Sequence, residues 1–225
     1  MDEAEWLACA DPDRMLKHLG KKYSGRKLRL FAVACCRRVW ERLDPLERKA
    51  VEVAERYADG LSSREELDAA GEAASSGTAE MVGLDKEHNP AVWVTSWSAQ
   101  KAATDSSAYA AGWAVRGIVG HRTTKSAWEV AFAGERERQC DFLRDIVGNP
   151  FRPVVIPPAV LAWSGGTVVK LAQAIYDDRR FGELPVLADA LEDAGCTDAA
   201  ILVHCRGPGE HVRGCWVVDL LLGRA

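Results

Sequence analysis

The stretch RKLRLFAVACCRRVWERL, running from Arg26 to Leu43, decides the fold class. At 100° per residue Leu28, Ala32, Cys35, Cys36, Val39, Trp40 and Leu43 fall on one side of a helix, and Arg26, Lys27, Arg37, Arg38, Glu41 and Arg42 on the other. The pattern predicts an amphipathic helix with a core face and a basic face. Ser24-Gly25 supplies a start, and Asp44-Pro45 ends the helix and opens the next, because proline fits a first helical turn. From Leu46 to about Tyr57, Val51, Ala54 and the neighbouring Ala58 oppose Glu47, Glu52 and Glu55, with Gly60 as the stop. The two segments read as a helical hairpin.

Further along, Arg64 to Ala74 reads as a helix interrupted by Ser75-Ser76-Gly77, and about 75–90 reads as a flexible loop. From Ala91 to Val119 small residues alternate with Trp93, Trp97 and Trp113, a composition for closely packed helices. A helix over Thr124 to Val147 follows, its Glu135-Arg136-Glu137-Arg138 run read as a solvated face. Prolines at 150, 153, 157 and 158 then remove backbone donors and mark a linker over 148–158. Beyond it the punctuation predicts short helices over Thr167 to Asp178, Pro185 to Ala194, Asp198 to Arg206 with a Thr197 cap, and Glu210 to Leu222. Long β-branched alternation is nearly absent. The expected fold is all-α, with an N-terminal helical bundle over 1–147 and a C-terminal module of short, repeat-like helices over 159–225.

Composition narrows the function classes. With 225 residues, 48% of them apolar, 28% charged and a net charge of -4, the chain has enough apolar material for a core. The acidic start MDEAEWLACADPD lacks a cationic region followed by an apolar stretch, and no apolar run approaches the ~20 residues of a bilayer span, so a cytoplasmic protein without a membrane partner is expected. Seven cysteines without an export signal point to free thiols, with packing as their commonest role.

Three segments, RKLRLFAVACCRRVW, LRDIVGNPFRP and HCRGPGEHVRGCWVVDLLLG, resemble those of an uncharacterised bacterial protein family. The resemblance implies no activity, cofactor or catalytic residue.

The candidate chemistry is concentrated in the tail. Cys196, His204, Cys205, His211 and Cys215 are zinc-type ligands, with His211 and Cys215 expected four apart on one face of the last helix. The CxxC pairs of familiar zinc modules are missing, so packing roles compete with a metal. Adjacent Cys35-Cys36 point about 100° apart on a helix and read as a buried pair. Arg26, Lys27, Arg37, Arg38 and Arg42 form a candidate anion or nucleic-acid face, with Glu41, Glu47, Glu52 and Glu55 at hand as salt-bridge partners. The glycines of Trp163-Ser164-Gly165-Gly166-Thr167 are compatible with an anion nest, but no Gly-Lys-Ser/Thr accompanies them. No complete catalytic constellation is present, which argues against an enzyme. Eight tryptophans, the rigid anchors that interfaces use, favour a protein-interaction or scaffolding module whose partner is another protein. Zinc binding through the tail and nucleic-acid binding through the basic face are the alternatives.

Overall fold

The computed structural model describes the chain except for residues 21–22, 78–93, 96–101, 104, 106–108, 112–113, 116–123 and 225. Among the described residues every regular element is helical, in agreement with the all-α reading. Most of the expected loop, together with Trp93, Trp97 and Trp113, lies outside the described residues. Two compact units divide the chain, one comprising Glu3–Leu143 and the other Arg144–Ala225. No described helix is long and apolar enough to cross a membrane.

The first unit contains α1 (Glu3–Ala8), α2 (Pro12–Leu19), α3 (Gly25–Arg37), α4 (Pro45–Ala58), α5 (Arg64–Gly77) and most of α6 (Lys125–Val147). Local chemistry sets the starts. Ser24 Oγ accepts the Lys27 N–H of α3 at 3.4 Å. Asp44 Oδ1 accepts from Leu46 and Glu47 at 2.7 and 2.9 Å, while Glu47 Oε2 accepts the Asp44 N–H at 2.8 Å. This reciprocal box satisfies donors that the first turn of α4 would otherwise leave open. α3 packs on α4, and α4 on α5.

Three expectations for this unit need correction. α3 ends at Arg37, and Trp40–Arg42 form a separate short 3-10 turn. Its two-faced character is also lost, since every residue from Lys27 to Cys36 is buried. Leu28 through Ala34 are apolar at every position but Arg29, so apolar groups surround the axis, as in a core helix. Second, the Glu135 to Arg138 run is no simple solvated face. Glu135 is 1% exposed and receives both Arg38 Nε and Nη2, at 3.1 and 3.0 Å. Arg136 bonds Asp11 at 3.0 Å and Asp13 at 2.5 Å. Third, α5 continues through Ser75 and Ser76, whose hydroxyls donate to Gly71 O and Glu72 O at 2.9 Å and so satisfy themselves within the helix.

The second unit starts in the last turn of α6 and adds α7 (Pro158–Asp178), α8 (Leu184–Asp193), α9 (Ala199–Arg206) and α10 (Trp216–Leu221). α7 is two helical arms joined by a left-handed turn, with φ of 47°, 68° and 81° at Ser164, Gly165 and Gly166. Thr167 Oγ1 donates to Ser164 O at 2.8 Å and begins the second arm. α7, α8, α9 and α10 close over Val168, Ala172, Ile175, Leu187, Leu191, Ile201, Val217 and Val218. Tyr176, fully buried, carries the Arg213 and Arg224 guanidinium groups at 4.3 and 4.2 Å from its ring centre.

Three boundaries differ from expectation here. α7 opens at Pro158, ahead of the expected start at Thr167, with a first arm before the left-handed turn. Asp198, not Thr197, caps α9, its Oδ1 accepting from Ala200 at 2.8 Å and Ile201 at 3.2 Å. The last helix begins at Trp216 instead of Glu210, because Gly214 at φ 98° breaks any helix through it.

Candidate metal centre

Four donors from distant parts of the sequence meet in the second unit. Asp145 projects from the last turn of α6, His204 from the last turn of α9, His211 from the connection after it, and Cys215 is the N-cap residue of α10. One ligand-type atom from each lies within 4.8 Å of all the others. Asp145 Oδ1 is 2.6 Å from His211 Nδ1 and 3.2 Å from His204 Nε2. His204 Nε2 is in turn 3.2 Å from Cys215 Sγ. The Asp145, His204 and His211 side chains are 5%, 17% and 9% exposed, and Cys215 is fully buried.

The backbone around these groups fixes their positions. Asp145 Oδ2 accepts the Val212 N–H at 2.9 Å, which orients the carboxylate and ties down the segment carrying His211. α6 ends directly after Asp145 at Gly148, whose φ of 73° suits glycine. A Cβ at Gly148 would stand 3.0 Å from Trp216 Cγ, so the absent side chain makes room for the indole.

Electrostatics distinguish the four groups. Burial alone would raise the Asp145 pKa, yet hydrogen bonds from His204 and His211 and their charge hold it below the usual carboxylate value. Burial drives the Cys215 thiol well above its ordinary value and the Asp145 charge adds to this, while the N–H groups of Val218 and Val217 pull the other way. Such a thiol is a poor nucleophile unless a cation converts it to thiolate.

A cysteine–histidine–aspartate relay would use opposite nitrogens of one imidazole for the thiol and the carboxylate. Here a single nitrogen, His204 Nε2, faces both, which is the arrangement expected of donors gathered around a common cation. His211 likewise turns Nδ1 to Asp145, at 2.6 Å, and its Nε2 is buried without a hydrogen-bond partner. A tetrahedral zinc with bonds of about 2.0–2.3 Å spaces its ligand atoms roughly 3.3–3.8 Å apart. The separations of 2.6 and 3.2 Å, with all four atoms within 4.8 Å of one another, bracket that range.

Of the five tail residues singled out by sequence, the structure joins His204, His211 and Cys215. The shared helix face supposed for the last two does not exist; the turn at Gly214 brings them together instead. Cys196 and Cys205 sit in the apolar core outside the four-donor group. The Cys196 N–H closes the end of α8 by donating to Leu191 O at 2.9 Å. Burial, with the Asp145 charge second, pushes the Cys205 thiol up to about 12. All seven cysteines are buried and none forms a disulfide. Asp145 was not identified from sequence, although an acid in the final turn faces the negative end of the helix dipole and lies in the apolar run FLRDIV.

The basic candidates are engaged elsewhere. Arg26 pairs with Asp59 and Arg37 with Glu55, both at 3.0 Å, Arg38 pairs with Glu135, and Lys27 is buried. Arg42 is exposed beside Trp40, over which Arg37 stacks at 4.8 Å. Compared with known proteins, the chain matches no family model, no curated protein and no solved structure.

Proposed function

We propose that the C-terminal unit is a zinc-binding module in which Asp145, His204, His211 and Cys215 hold one structural ion. The observation that carries this reading is the approach of His204 Nε2 to 3.2 Å from both Cys215 Sγ and Asp145 Oδ1. Two imidazoles, a thiolate and a carboxylate suit zinc better than the all-oxygen sets of magnesium or calcium. Their charges also balance. One thiolate and one carboxylate neutralise a divalent cation, so the occupied site places no net charge in the unit's interior.

Four protein ligands fill a tetrahedral sphere and leave no position for substrate, which makes the role structural. The ion would link the end of α6, the end of α9 and the start of α10, and its binding energy would count toward folding of the unit. The docking reading rests mainly on the segment around Trp93, Trp97 and Trp113, and these three tryptophans lie outside the described residues.

Metal analysis of protein purified without chelator is expected to find about one zinc per chain, falling to background in Cys215→Ala and His211→Ala. Wild-type protein that stays metal-free after incubation with zinc would overturn the proposal.

A further inference from the structure

We infer that Trp216 is the positioning residue of this metal centre, its indole fixing the His204 imidazole and the Cys215 backbone against the end of α6; the inference rests on the metal reading above. Trp216 directly follows Cys215, so any displacement of its ring is transmitted to the ligand-bearing backbone. Its ring centre lies 5.1 Å from that of His204, tilted by 55°. On Gly148 the room vacated by a missing side chain is occupied by the same indole, whose Cγ, Cδ2 and Cδ1 would meet a Cβ at 3.0, 3.2 and 3.4 Å. Gly148 lies just beyond Asp145 at the end of α6. One aromatic plate therefore adjoins the segments that present three of the four donors.

The fourth donor is held through its neighbours. His211 meets the His204 ring edge-on at 4.8 Å and bonds Asp145 through Nδ1 at 2.6 Å. Trp216 is half-buried and also packs on the unit's apolar core, so the core and the centre share a wall. Groups surrounding first-sphere ligands control the orientation in which those ligands meet an ion, and their loss typically weakens metal binding by about 10–100-fold. A residue serving only as core filler would change stability and leave the ligand geometry intact.

Cobalt(II) separates these roles, because its thiolate charge-transfer and ligand-field bands report the coordination sphere itself. The full-length protein and its Trp216→Phe, Trp216→Leu and Gly148→Ala variants would be loaded with cobalt and then titrated with competing zinc. The wild type is expected to show tetrahedral, thiolate-bearing bands. Phe should retain them, since it keeps an aromatic plate. Leu, which keeps apolar bulk without the plate, should shift them and weaken binding at least about tenfold. Gly148→Ala, whose Cβ would press on the same indole, should shift them as well. Wild-type bands and affinity in a folded Trp216→Leu would overturn the role of Trp216 and leave the metal reading intact. Should Trp216→Leu not fold, unchanged bands in Gly148→Ala overturn it equally. Absence of cobalt binding by the wild type would instead remove the metal reading, and this inference with it.

Discussion

Cys215 and Asp145 are partners whose proton affinities are displaced in opposite directions, and pH acts on them accordingly. Cys35, Cys205 and Cys215 are raised, principally by burial, above the unfolded thiol value near 8.5. A raised folded-state pKa contributes stability that is complete below the unfolded value and is lost as pH climbs toward the folded one. Chelator-treated protein should therefore weaken from about pH 8.5 upward, by at most about 1.4 kcal/mol per pH unit for each raised thiol. Urea midpoints between pH 8 and 10.5 check this, and a midpoint independent of pH would refute it. Cys215→Ala should flatten the slope by one thiol's share. Zinc affinity should move in the opposite sense, rising about tenfold per pH unit while the free thiol is protonated, because coordination expels that proton. The residues legible in the tail were those whose chemistry is distinctive wherever they stand, histidine and cysteine. Asp145 was hidden because aspartate is common on surfaces and its partner His211 lies 66 residues away. Only its discord with the helix dipole and the apolar run around it distinguished it.

Among the elements, α3 shows how ion pairs convert a basic surface into a packed one. Arg38 reaches from just beyond its end to Glu135 on α6, a carboxylate 1% exposed. Removing Arg38 leaves that charge buried beside Arg138, at 3.4 Å. Arg38→Ala should cost about 2–3 kcal/mol, under the full price of breaking a buried pair because Arg138 compensates in part. Denaturant melts of Arg38→Ala, Glu135→Gln and the double variant measure the coupling; additive losses would show that the pair acts independently. Where a cap and apolar spacing coincide, as at Asp44-Pro45 and Ser24, the helix was readable in the sequence, whereas α1, α2 and the first arm of α7 were not identified there. Boundaries failed where a neighbour or a turn decided them. α5 absorbs two serines through hydroxyl bonds to its own carbonyls, and α10 starts late because Gly214 turns the chain.

At the level of the whole molecule, the four donors of the proposed metal site all belong to the unit beginning at Arg144. Chelation should therefore raise amide exchange in residues 144–221 and leave α3 and α4 unchanged, which exchange mass spectrometry with and without chelator reads directly. Equal acceleration in α3 and α4 would show that the ion stabilises more than its own unit. The all-helical class follows from patterns spread over many residues, so substitution of any one leaves it readable. The metal centre depends on a few side chains meeting across long stretches of chain, and spacing along the sequence carries little of that information.

The order of the ligands has a consequence for biogenesis. Asp145 is made 66 residues before His211, an interval of about 3–13 s at ordinary ribosomal speeds of roughly 5–20 residues per second. The helix carrying the first donor is thus available well before the other three exist. On the metal reading, a cation requiring all four would be captured only once Cys215 has been synthesised, so loading would mark a late stage of this unit and would not template its earlier assembly.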